Sequence, residues 1–592
     1  VTLGVFLLWR SLSLDLTWRQ RGVRLAQFTA GGLLGLMIAA VQLVPLVELQ
    51  QHNSRASITI AEMMAGAIPL RHIVTLLVPE FYGGPNWYYG AGNFVEFTGY
   101  IGVTSLIIGV LALLYPTLQR QSALLFFTGL TLVALHLAYG GVLNVILSLP
   151  PGYTAFRGLQ RIQGVWSFGA AGMVAWGVQA LLLAHGWRRQ LIGSMAAGLI
   201  ALGLWIVHDT EVVINLMAWL VHSPRAIRTP QLIAPFRHTA WLLVGMGAAL
   251  ALILWLQRYR GKIVLIAPVV LFLLIGVDLL QFNRRYLPVV AADLAYPTTP
   301  GLDYLMAQRT EGRVVRFEHT RQRAPVLVNT NIVYGLEDLQ GYGSFTLERY
   351  NQIIGLIAPE KYTEVGFTNR ISNFQDINVL NSPLFDLLGV AFLLVDTPLF
   401  SSGAEDSAAG LYPSVAGWVE VYSGPDMTIY RNRQALPSAW VVGDVQVQPE
   451  DPAQLAVLSN PTFDPAQQAV IAQTADQPFD PDATGTVQVV RRSLNTLELD
   501  VRVEARPGYA ALLLVRQNYY PGWQARIDGA SVPLLRADVN LQGVPLAAGY
   551  HRVVLTFMPS YFRTLFALAL VALVGSMLLL WRNPGRRASA TE

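Results

Sequence analysis

The sequence contains no cysteine, which excludes disulfide bonds, thiolate metal sites and cysteine nucleophiles. Charged residues are scarce as well: they make up 13% of the chain, whereas a soluble domain carries about 25%. Lysine occurs only as Lys262 and Lys361, so arginine supplies 39 of the 41 basic residues. No block of basic residues with interleaved aromatics is present, and this argues against a nucleic-acid partner.

Acidic residues are nearly missing from the first half of the chain. Of the 37 Asp and Glu, eight precede residue 282 and 29 follow it. The whole chain is apolar, with 53% of its residues in the AVILMFWYC set and a mean hydropathy of +0.42. This distribution excludes a single soluble globule and also a purely membrane-embedded bundle. It predicts a helical membrane region at 1–281 followed by a polar region of similar length.

Eight apolar segments approach the length of about 20 residues that a helix needs to cross a bilayer. They are Leu25–Leu46, Tyr100–Leu118, Leu124–Tyr139, Trp166–His185, Leu191–His208, Thr239–Gln257, Ile263–Gln281 and Thr564–Trp581. Val1–Leu8 is typical of the end of a further span, and the chain starts with Val. We therefore expect the sequence to be an N-terminally truncated piece of a longer polytopic protein.

Arginine in alternate short loops predicts the orientation, because cytoplasmic loops carry an excess of basic residues. The basic sets are Arg10, Arg19, Arg21 and Arg24; Arg120; Arg188 and Arg189; Arg258, Arg260 and Lys262; and Arg582, Arg586 and Arg587. If every span is real, all five sets lie on one side, which is then cytoplasmic. The opposite, extracytoplasmic side then holds Val47–Gly99, Gly140–Val165, Asp209–His238 and the block Phe282–Arg563.

The sequence patterns of the block Phe282–Arg563 predict two kinds of structure. Residues 282–440 mix helical and extended patterns and are interpreted as an α+β region. Residues 441–563 are interpreted as a β-sandwich, since Thr496–Glu504 alternates apolar and polar side chains and similar short runs follow between Gly-containing turns. The expected division is therefore a membrane region at 1–281, these two regions, and a C-terminal transmembrane helix with its tail at 564–592.

Several motifs along the chain resemble those of a known family. They are Val41–Leu49, Pro79–Gly84, Glu96–Gly102, Phe156-Arg157 with Arg161, Asp278–Leu280, Tyr334–Tyr342 and Tyr520–Gly529. In this order they resemble bacterial YfhO-type membrane proteins, a family similar to the GT-C glycosyltransferases. The resemblance implies a GT-C-like helical membrane bundle in the bacterial cell membrane. Such enzymes transfer a sugar from a polyprenyl-phosphate donor on the extracytoplasmic face, here to a cell-envelope glycopolymer or lipid.

The resemblance also implies where the catalytic acid lies. In GT-C enzymes it usually belongs to the first outer loop, which would precede Val1. We therefore expect the full-length protein to be the enzyme and this piece to be inactive by itself. No cofactor is evident, because the nine His lack metal-ligand spacing, although such an enzyme can use a divalent ion.

Candidate site residues follow from this chemistry, since glycosyl transfer needs a carboxylate for the acceptor proton and cations for the leaving phosphate. The carboxylate candidates are Glu48, Glu80 and Glu96, and the candidates for donor binding are Arg55, Arg71, His72, Arg157 and Arg161. Arg157 and Arg161 lie four apart and share a face if that segment is helical. For each residue the alternative is an ordinary solvated loop or a contact with phospholipid.

Two further interpretations stay open. Asp278 lies near the end of its span, where it is either a functional acid or a structural group. Tyr519, Tyr520 and Trp523 either stack on a sugar or belong to the sandwich core.

For the whole protein, the alternative to a glycosyltransferase is a non-catalytic envelope assembly or glycan-binding protein. A transporter is disfavoured, since the charges collect in the outer loops.

Overall fold

The computed structural model describes residues 4, 6, 8–9, 17–53, 59–114, 122–149, 158–227, 229–258, 266–287, 289–309, 311–317, 326, 329–341, 343, 346–359, 377–395 and 417–582. The chain divides into two compact units. We call them the helical unit, Val1–Gly32 with Ser57–Val289, and the sheet unit, Leu33–Ala56 with Val290–Glu592.

Helices dominate the described residues up to 286. They are α1 (Trp18–Gln51), α2 (Ile60–Ala65), α3 (Phe94–Phe97), α4 (Val103–Leu111), α5 (Ser122–Ala138), α6 (Leu143–Leu147), α7 (Gln163–Leu182), α8 (Trp187–His208), α9 (Thr210–Leu220), α10 (Pro224–Ile227), α11 (Ile233–Leu256) and α12 (Ile266–Tyr286). Two short 3₁₀ helices, Leu70–Leu76 and Leu159–Ile162, connect them. The C-terminal helix α18 is Phe562–Arg582.

Six helices in the described part of the chain are long and apolar enough to cross a membrane. They cover Trp18–Gln51, Leu159–Leu182, Trp187–His208, Pro230–Leu256, Ile266–Arg284 and Phe562–Leu579, and they coincide with six of the eight predicted spans. The segments predicted as Tyr100–Leu118 and Leu124–Tyr139 contain shorter apolar helices, Val103–Leu114 and Ala123–Ala138. At Gly102 the backbone φ of +92° keeps the residues before α4 out of the helix.

Glycines allow the long helices of the helical unit to pack closely. A Cβ on Gly177 of α7 would lie 1.8 Å from the carbonyl oxygen of Ile108 in α4. Gly203 of α8 faces the backbone of α11, and Gly247 of α11 faces the backbone of α8. Small residues bring helix backbones together in this way within membranes, where association relies on close van der Waals packing.

A mixed five-stranded sheet forms the first layer of the sheet unit. Its strands are β1 (Arg313–Phe317), β2 (Glu337–Asp338), β3 (Val390–Val395), β4 (Trp418–Ser423) and β5 (Thr428–Asn432), in the order β2-β1-β3-β5-β4. The helices around it are α13 (Pro300–Ala307), α14 (Asn331–Tyr334), α15 (Glu348–Ile357) and α16 (Leu384–Leu387). All six residues of β3 are buried, as expected for a strand covered on both faces. The predicted α+β character is confirmed.

Two further sheets pack face to face in the rest of this unit. Strands β6 (Ala439–Val442), β7 (Asp444–Val447), β8 (Gln468–Ile471), β11 (Ala510–Val515), β14 (Leu535–Ala537) and β15 (Leu541–Ala547) form one sheet, with α17 (Asp451–Leu458) beside it. Strands β9 (Thr484–Arg492), β10 (Thr496–Glu504), β12 (Trp523–Ile527), β13 (Ala530–Val532) and β16 (Gly549–Phe557) form the other. The predicted strand Thr496–Glu504 coincides with β10.

The six-stranded sheet has apolar contacts on both faces. From β11, Leu513 packs into the core shared with the five-stranded sheet that contains β10, which makes the sandwich. Its neighbours Leu512 and Leu514 pack on the opposite face, in a core that includes residues of β1 and β3. Because of this second core, β11 lacks the alternation seen in β10. The predicted regions 282–440 and 441–563 therefore share a core, and the division at residue 440 falls inside β6.

Candidate functional site

Local sequence signals build the segment 59–102 of the helical unit. Thr59 and Glu62 form a capping box at the start of α2, with the Thr59 amide donating to the Glu62 carboxylate at 2.7 Å. Asn93 caps α3, since its side-chain oxygen accepts from the Glu96 amide at 2.9 Å. Glu62 therefore serves as a cap, and Glu96 is fixed in the first turn of α3.

Glu96 is held by side chains from two parts of the helical unit. Arg161, in the 3₁₀ helix Leu159–Ile162, donates Nε and Nη2 to one carboxylate oxygen at 3.0 and 2.7 Å. Gln160 donates to the other oxygen at 2.9 Å, and Asn93 donates to the same oxygen at 3.1 Å. The structure thus joins two predicted site residues that lie 65 positions apart.

These contacts keep Glu96 ionised. Burial acts to raise the pKa of its carboxyl, but the hydrogen bonds from Arg161, Gln160 and Asn93 outweigh burial and hold this pKa below its ordinary value. The Arg161 side chain is 69% exposed, so its guanidinium also faces the surroundings of the protein. Sequence reasoning missed Gln160 and Asn93. The spacing of Asn93 three residues before Glu96 was a readable capping signal, whereas nothing marked Gln160.

His72 has a different setting from its neighbour Arg71. Arg71 is exposed on the 3₁₀ helix Leu70–Leu76, whereas the His72 ring is fully buried and stacks on Tyr82 at 4.1 Å. Burial, with a smaller effect of the Arg71 charge, lowers the pKa of His72 to about 4, so the ring is neutral at physiological pH. A buried, neutral ring is typical of a packed core histidine. Donor binding by His72 and by Arg71 stays a prediction.

Glu80 lines a small cavity in the helical unit. Its exposed fraction is 8%, and the cavity has a volume of about 30 Å³. Other lining residues are Tyr100, His238, Thr239 and Asp278. A volume of this size holds about one water molecule. Among the three candidate carboxylates, Glu80 is therefore the one that lines a small cavity of the helical unit.

Asp278 connects α12 to the start of α4. Its carboxylate accepts hydrogen bonds from the Tyr100 hydroxyl at 2.5 Å, the Thr104 hydroxyl at 2.8 Å and the Thr104 amide at 3.1 Å. At Gly102 the backbone φ is +92°, which favours glycine, and a Cβ there would crowd the Asp278 carboxylate at 3.0 Å. The buried acid therefore caps a helix from a neighbouring helix, which favours the structural interpretation over a functional one.

The remaining predicted residues lie elsewhere. Glu48 belongs to the sheet unit, near the end of α1, and its carboxylate accepts a hydrogen bond from the Tyr561 hydroxyl. Burial, with a smaller effect of the nearby Glu48 charge, raises the pKa of Tyr520 in the same unit. Arg55 and Arg157 lie outside the described residues.

The turn between β11 and β12 carries the sequence motif Tyr520-Pro-Gly-Trp. Gly522 has a φ of +104°, and a Cβ there would lie 3.0 Å from Phe557, so the turn requires glycine. Trp523 packs against the sandwich core and lies 5.5 Å from the Phe557 ring. This motif therefore shapes the sandwich in which it occurs.

Residues 483–569 match the family described as bacterial membrane protein YfhO. The resemblance to YfhO-type proteins is thus confirmed for the segment that runs from β9 into α18. The predicted site residues Glu48 to Arg161 all precede the YfhO segment, so the family match bears on the sandwich and leaves these residues as predictions.

Comparison with solved structures found two cryo-EM structures of the arabinofuranosyltransferase AftD from Mycobacteria. One, a class 2 structure of a mutant, has a TM-score of 0.20 and 13% sequence identity, and the match covers 84% of this chain and 53% of that one. The other has a TM-score of 0.18 and 13% identity, with 84% and 50% covered. The chain spans about half the length of these structures. No curated protein matches the chain.

A resident metal has no set of ligands within the part of the chain that the structure describes. There, no group of three His, Asp or Glu side chains is arranged to hold an ion. In the helical unit the carboxylates of Glu96 and Asp278 are bound by other side chains. A divalent ion therefore stays an expectation that the resemblance to GT-C enzymes alone supplies.

Proposed function

We propose that this chain is part of a membrane glycosyltransferase that takes a sugar from a polyprenyl-phosphate donor. The acceptor in this proposal is a cell-envelope glycopolymer or lipid. The YfhO segment and the apolar helices support a bacterial membrane protein of this kind. The observation that carries the proposal is the ion pair of Arg161 with Glu96 in the helical unit.

Arg161 suits the leaving phosphate of such a donor. Its planar guanidinium presents several N–H donors in fixed directions, which matches phosphate oxygens better than an ammonium group does. Glu96 binds the Arg161 guanidinium directly, and Gln160 and Asn93 hold the Glu96 carboxylate in place. A fixed donor stabilises developing negative charge more effectively than a mobile one. In this proposal Glu96 is a positioning residue, because its carboxylate is already ionised and bound to Arg161.

Glu80 is our candidate for the group that accepts a proton from the acceptor. A general base must lie where the acceptor hydroxyl reaches it and must bind a proton during the reaction. Glu80 is 8% exposed and lines a cavity beside Asp278 and Phe282 of α12. This role rests on the proposed donor chemistry.

Donor binding tests the proposal. The chain Val1–Glu592 in phosphatidylcholine nanodiscs is titrated with polyprenyl phosphate and with the unphosphorylated polyprenol. Arg161→Gln should weaken polyprenyl phosphate binding about tenfold or more, since a hydrogen bond to a charged group contributes about 1.5–3 kcal/mol. Binding of the polyprenol should not change. The matched control is Arg188→Gln, an arginine that packs over the Trp187 ring. Equal phosphate affinity in both variants would contradict the proposal.

We further propose that the sheet unit's polar regions face the extracytoplasmic side. The support is the alternation of basic loops along the sequence. Because the chain has no cysteine, single cysteines report accessibility directly. Asp482→Cys, at a side chain that is 90% exposed, should react with a membrane-impermeant maleimide in intact cells, and Arg19→Cys should react only after lysis. The reverse pattern would invert the topology.

A further inference from the structure

A polar cavity of about 190 Å³ lies within the sheet unit, apart from the donor site proposed above. Five separate stretches of the chain line it: Gln51-His52, Leu347–Arg349, Asp451, Tyr519–Pro521 and Asn540. At roughly 30 Å³ per molecule, its volume corresponds to about six waters. The cavity is therefore large enough for a ligand much bigger than a single ion.

Backbone contacts fix one wall of the cavity. Beyond the end of α1, Asn53 forms an antiparallel β-bridge with Leu347. The Glu348 amide donates to the His52 carbonyl at 2.9 Å, and the Thr346 amide donates to the Asn53 side chain at 3.2 Å. The end of α1 is thus held against the start of α15 in the same unit, and the side chains on this wall have defined positions.

Charges on a second wall balance one another. Asp451, the first residue of α17, accepts from Arg349 at 3.0 Å through one carboxylate oxygen and contacts Arg536 at 2.7 Å through the other. Arg536 also donates to the Val539 carbonyl at 3.2 Å. The carboxylate is therefore held between two guanidiniums. With Glu348 also lining the cavity, the charged side chains of the lining carry both signs.

Two tyrosines form the third wall. Tyr519 and Tyr520 are half-buried and line the cavity, and the His52 ring meets Tyr520 edge-on at 5.4 Å. The Tyr519 amide donates to the Asn540 carbonyl at 2.7 Å, which fixes the backbone that carries both rings. Of the three aromatic residues that the sequence offered as sugar-stacking candidates, the structure thus separates Tyr519 and Tyr520 from Trp523, which belongs to the sandwich core.

We infer that this cavity binds one uncharged sugar ring of a glycan. Flat aromatic faces pack against the C–H groups of a sugar ring, and fixed carboxylate, guanidinium and amide groups bind its hydroxyls. The cavity lining supplies both kinds of group: the rings of Tyr519 and Tyr520, and the polar side chains of Arg349, Asp451 and Asn540. The inference does not depend on donor binding in the helical unit, because none of the proposed donor-binding residues lines the cavity.

Direct sugar titration tests the inference. The chain Val1–Glu592 is placed in phosphatidylcholine nanodiscs, because detergents with sugar headgroups would compete for the site. Glucose, galactose, mannose and arabinose, and separately inorganic phosphate, are titrated up to about 50 mM with saturation-transfer NMR as the readout. We expect at least one sugar to bind saturably with a Kd on the order of 1 mM or tighter.

Matched variants then locate the binding. Tyr520→Ala should weaken binding of that sugar about tenfold, whereas Tyr520→Phe, which keeps the ring, should stay within about threefold of the parent. Tyr519→Ala provides a second test if Tyr520→Ala lowers the melting temperature. The control is Tyr509→Ala, an exposed tyrosine of the same sandwich that packs on Arg506 and does not line the cavity.

Three outcomes would overturn the inference. They are the absence of saturable binding for all four sugars, equal sugar affinity in the parent, Tyr519→Ala and Tyr520→Ala, and binding of phosphate without binding of any sugar. Because the readout is sugar binding in the sheet unit, these outcomes are separate from failure of polyprenyl phosphate binding in the Arg161→Gln experiment.

Discussion

The helical unit and the sheet unit use charged groups in different ways. In the helical unit charges are rare, and those described at Glu96, Arg161 and Asp278 are bound to partners at helix ends. The sheet unit contains many ion pairs, most of them at its surface, such as Arg552 with Glu498. The difference follows from the surroundings, because lipid makes every polar group costly whereas water screens charges.

This comparison shows where function is best sought in each unit. In the helical unit a charged side chain is an exception that needs a reason, so Glu96 and Arg161 mark a candidate site. In the sheet unit an exposed ion pair contributes only about 0–1 kcal/mol and indicates little. There, a cavity with rigid polar and aromatic walls is the more informative feature. The predictions below test the comparison, beginning with the largest expected effect.

Breaking a buried ion pair in the sheet unit should have the largest effect. Arg316 and Asp338 join β1 to β2 at 2.9 Å, with side chains that are 0% and 1% exposed. Arg316→Met should lower the free energy of unfolding by about 3–5 kcal/mol, because Asp338 then loses its buried cation. Denaturant titration with amide exchange of β1 and β3 measures this. Adding Asp338→Leu should restore much of the loss, and an unaffected single variant would contradict the prediction.

Truncating the sandwich core should have the next largest effect. Leu499 of β10 is fully buried, whereas its neighbour Asp500 is exposed. Leu499→Ala should cost about 2–5 kcal/mol of unfolding free energy, because it leaves a cavity between the sheets. Asp500→Ala, measured in the same denaturant titration, should change stability by less than about 1 kcal/mol. Similar effects for both would show that the two faces of β10 are not distinct.

Removing the buried acid of the helical unit should have a moderate effect. Asp278→Ala leaves the Tyr100 hydroxyl and the Thr104 amide without this acceptor, which should cost about 1–3 kcal/mol. Asp278→Asn keeps an acceptor oxygen and should cost less. Melting temperatures in nanodiscs compare the two, with polyprenyl phosphate affinity as a second readout. If Asp278→Asn folded normally but lost all lipid phosphate binding, a functional role would replace the structural one.

The sheet unit should also show a pH dependence of its stability. Asp538 is fully buried between β14 and β15, and burial raises its pKa from 3.8 to about 7 despite a hydrogen bond from the Val470 amide. Between these two values the native state binds more protons than the unfolded state. The contribution of Asp538 to the stability of the folded state is therefore greatest at low pH and falls as the pH rises towards 7.

Asp538→Asn should remove this part of the pH dependence of unfolding. Asparagine stays neutral, keeps the acceptor oxygen and tolerates the backbone φ of 45° at this position. Denaturant titrations across the range from about pH 5 to 8 measure the slope. If the parent and the variant showed the same slope, another group would be responsible.

The sequence predicts those helices and strands whose hydrophobic pattern is set by neighbouring residues. β10 was predictable because one face meets the core and the other meets water, and the long spans were predictable because their apolar runs are continuous. In the run Tyr100–Leu118, α4 begins only at Val103, because Gly102 with its φ of +92° lies directly before it, although the apolar composition starts earlier. The β11 strand shows no alternation, because both of its faces are covered.

The contacts of the candidate sites were not predictable, because they join distant parts of the chain. Glu96 and Arg161 were each singled out, but no local pattern showed that they pair across 65 residues. The cavity of the sheet unit assembles five stretches between Gln51 and Asn540. Among its lining residues, the sequence predicts a sugar contact only for Tyr519 and Tyr520, as aromatic residues at a turn. Three-dimensional packing was needed to separate them from Trp523.

The most direct test of the central claim is to locate the bound lipid phosphate. Polyprenyl phosphate with a photoreactive group next to the phosphate is crosslinked to the chain Val1–Glu592 in nanodiscs, and the labelled peptides are identified by mass spectrometry. We predict labelling within Thr59–Tyr100 or Leu159–Trp166 that decreases in Arg161→Gln and is absent with the matching photoreactive polyprenol. Labelling confined to other segments, or the same labelling with and without the phosphate, would contradict the assignment of donor binding to the helical unit.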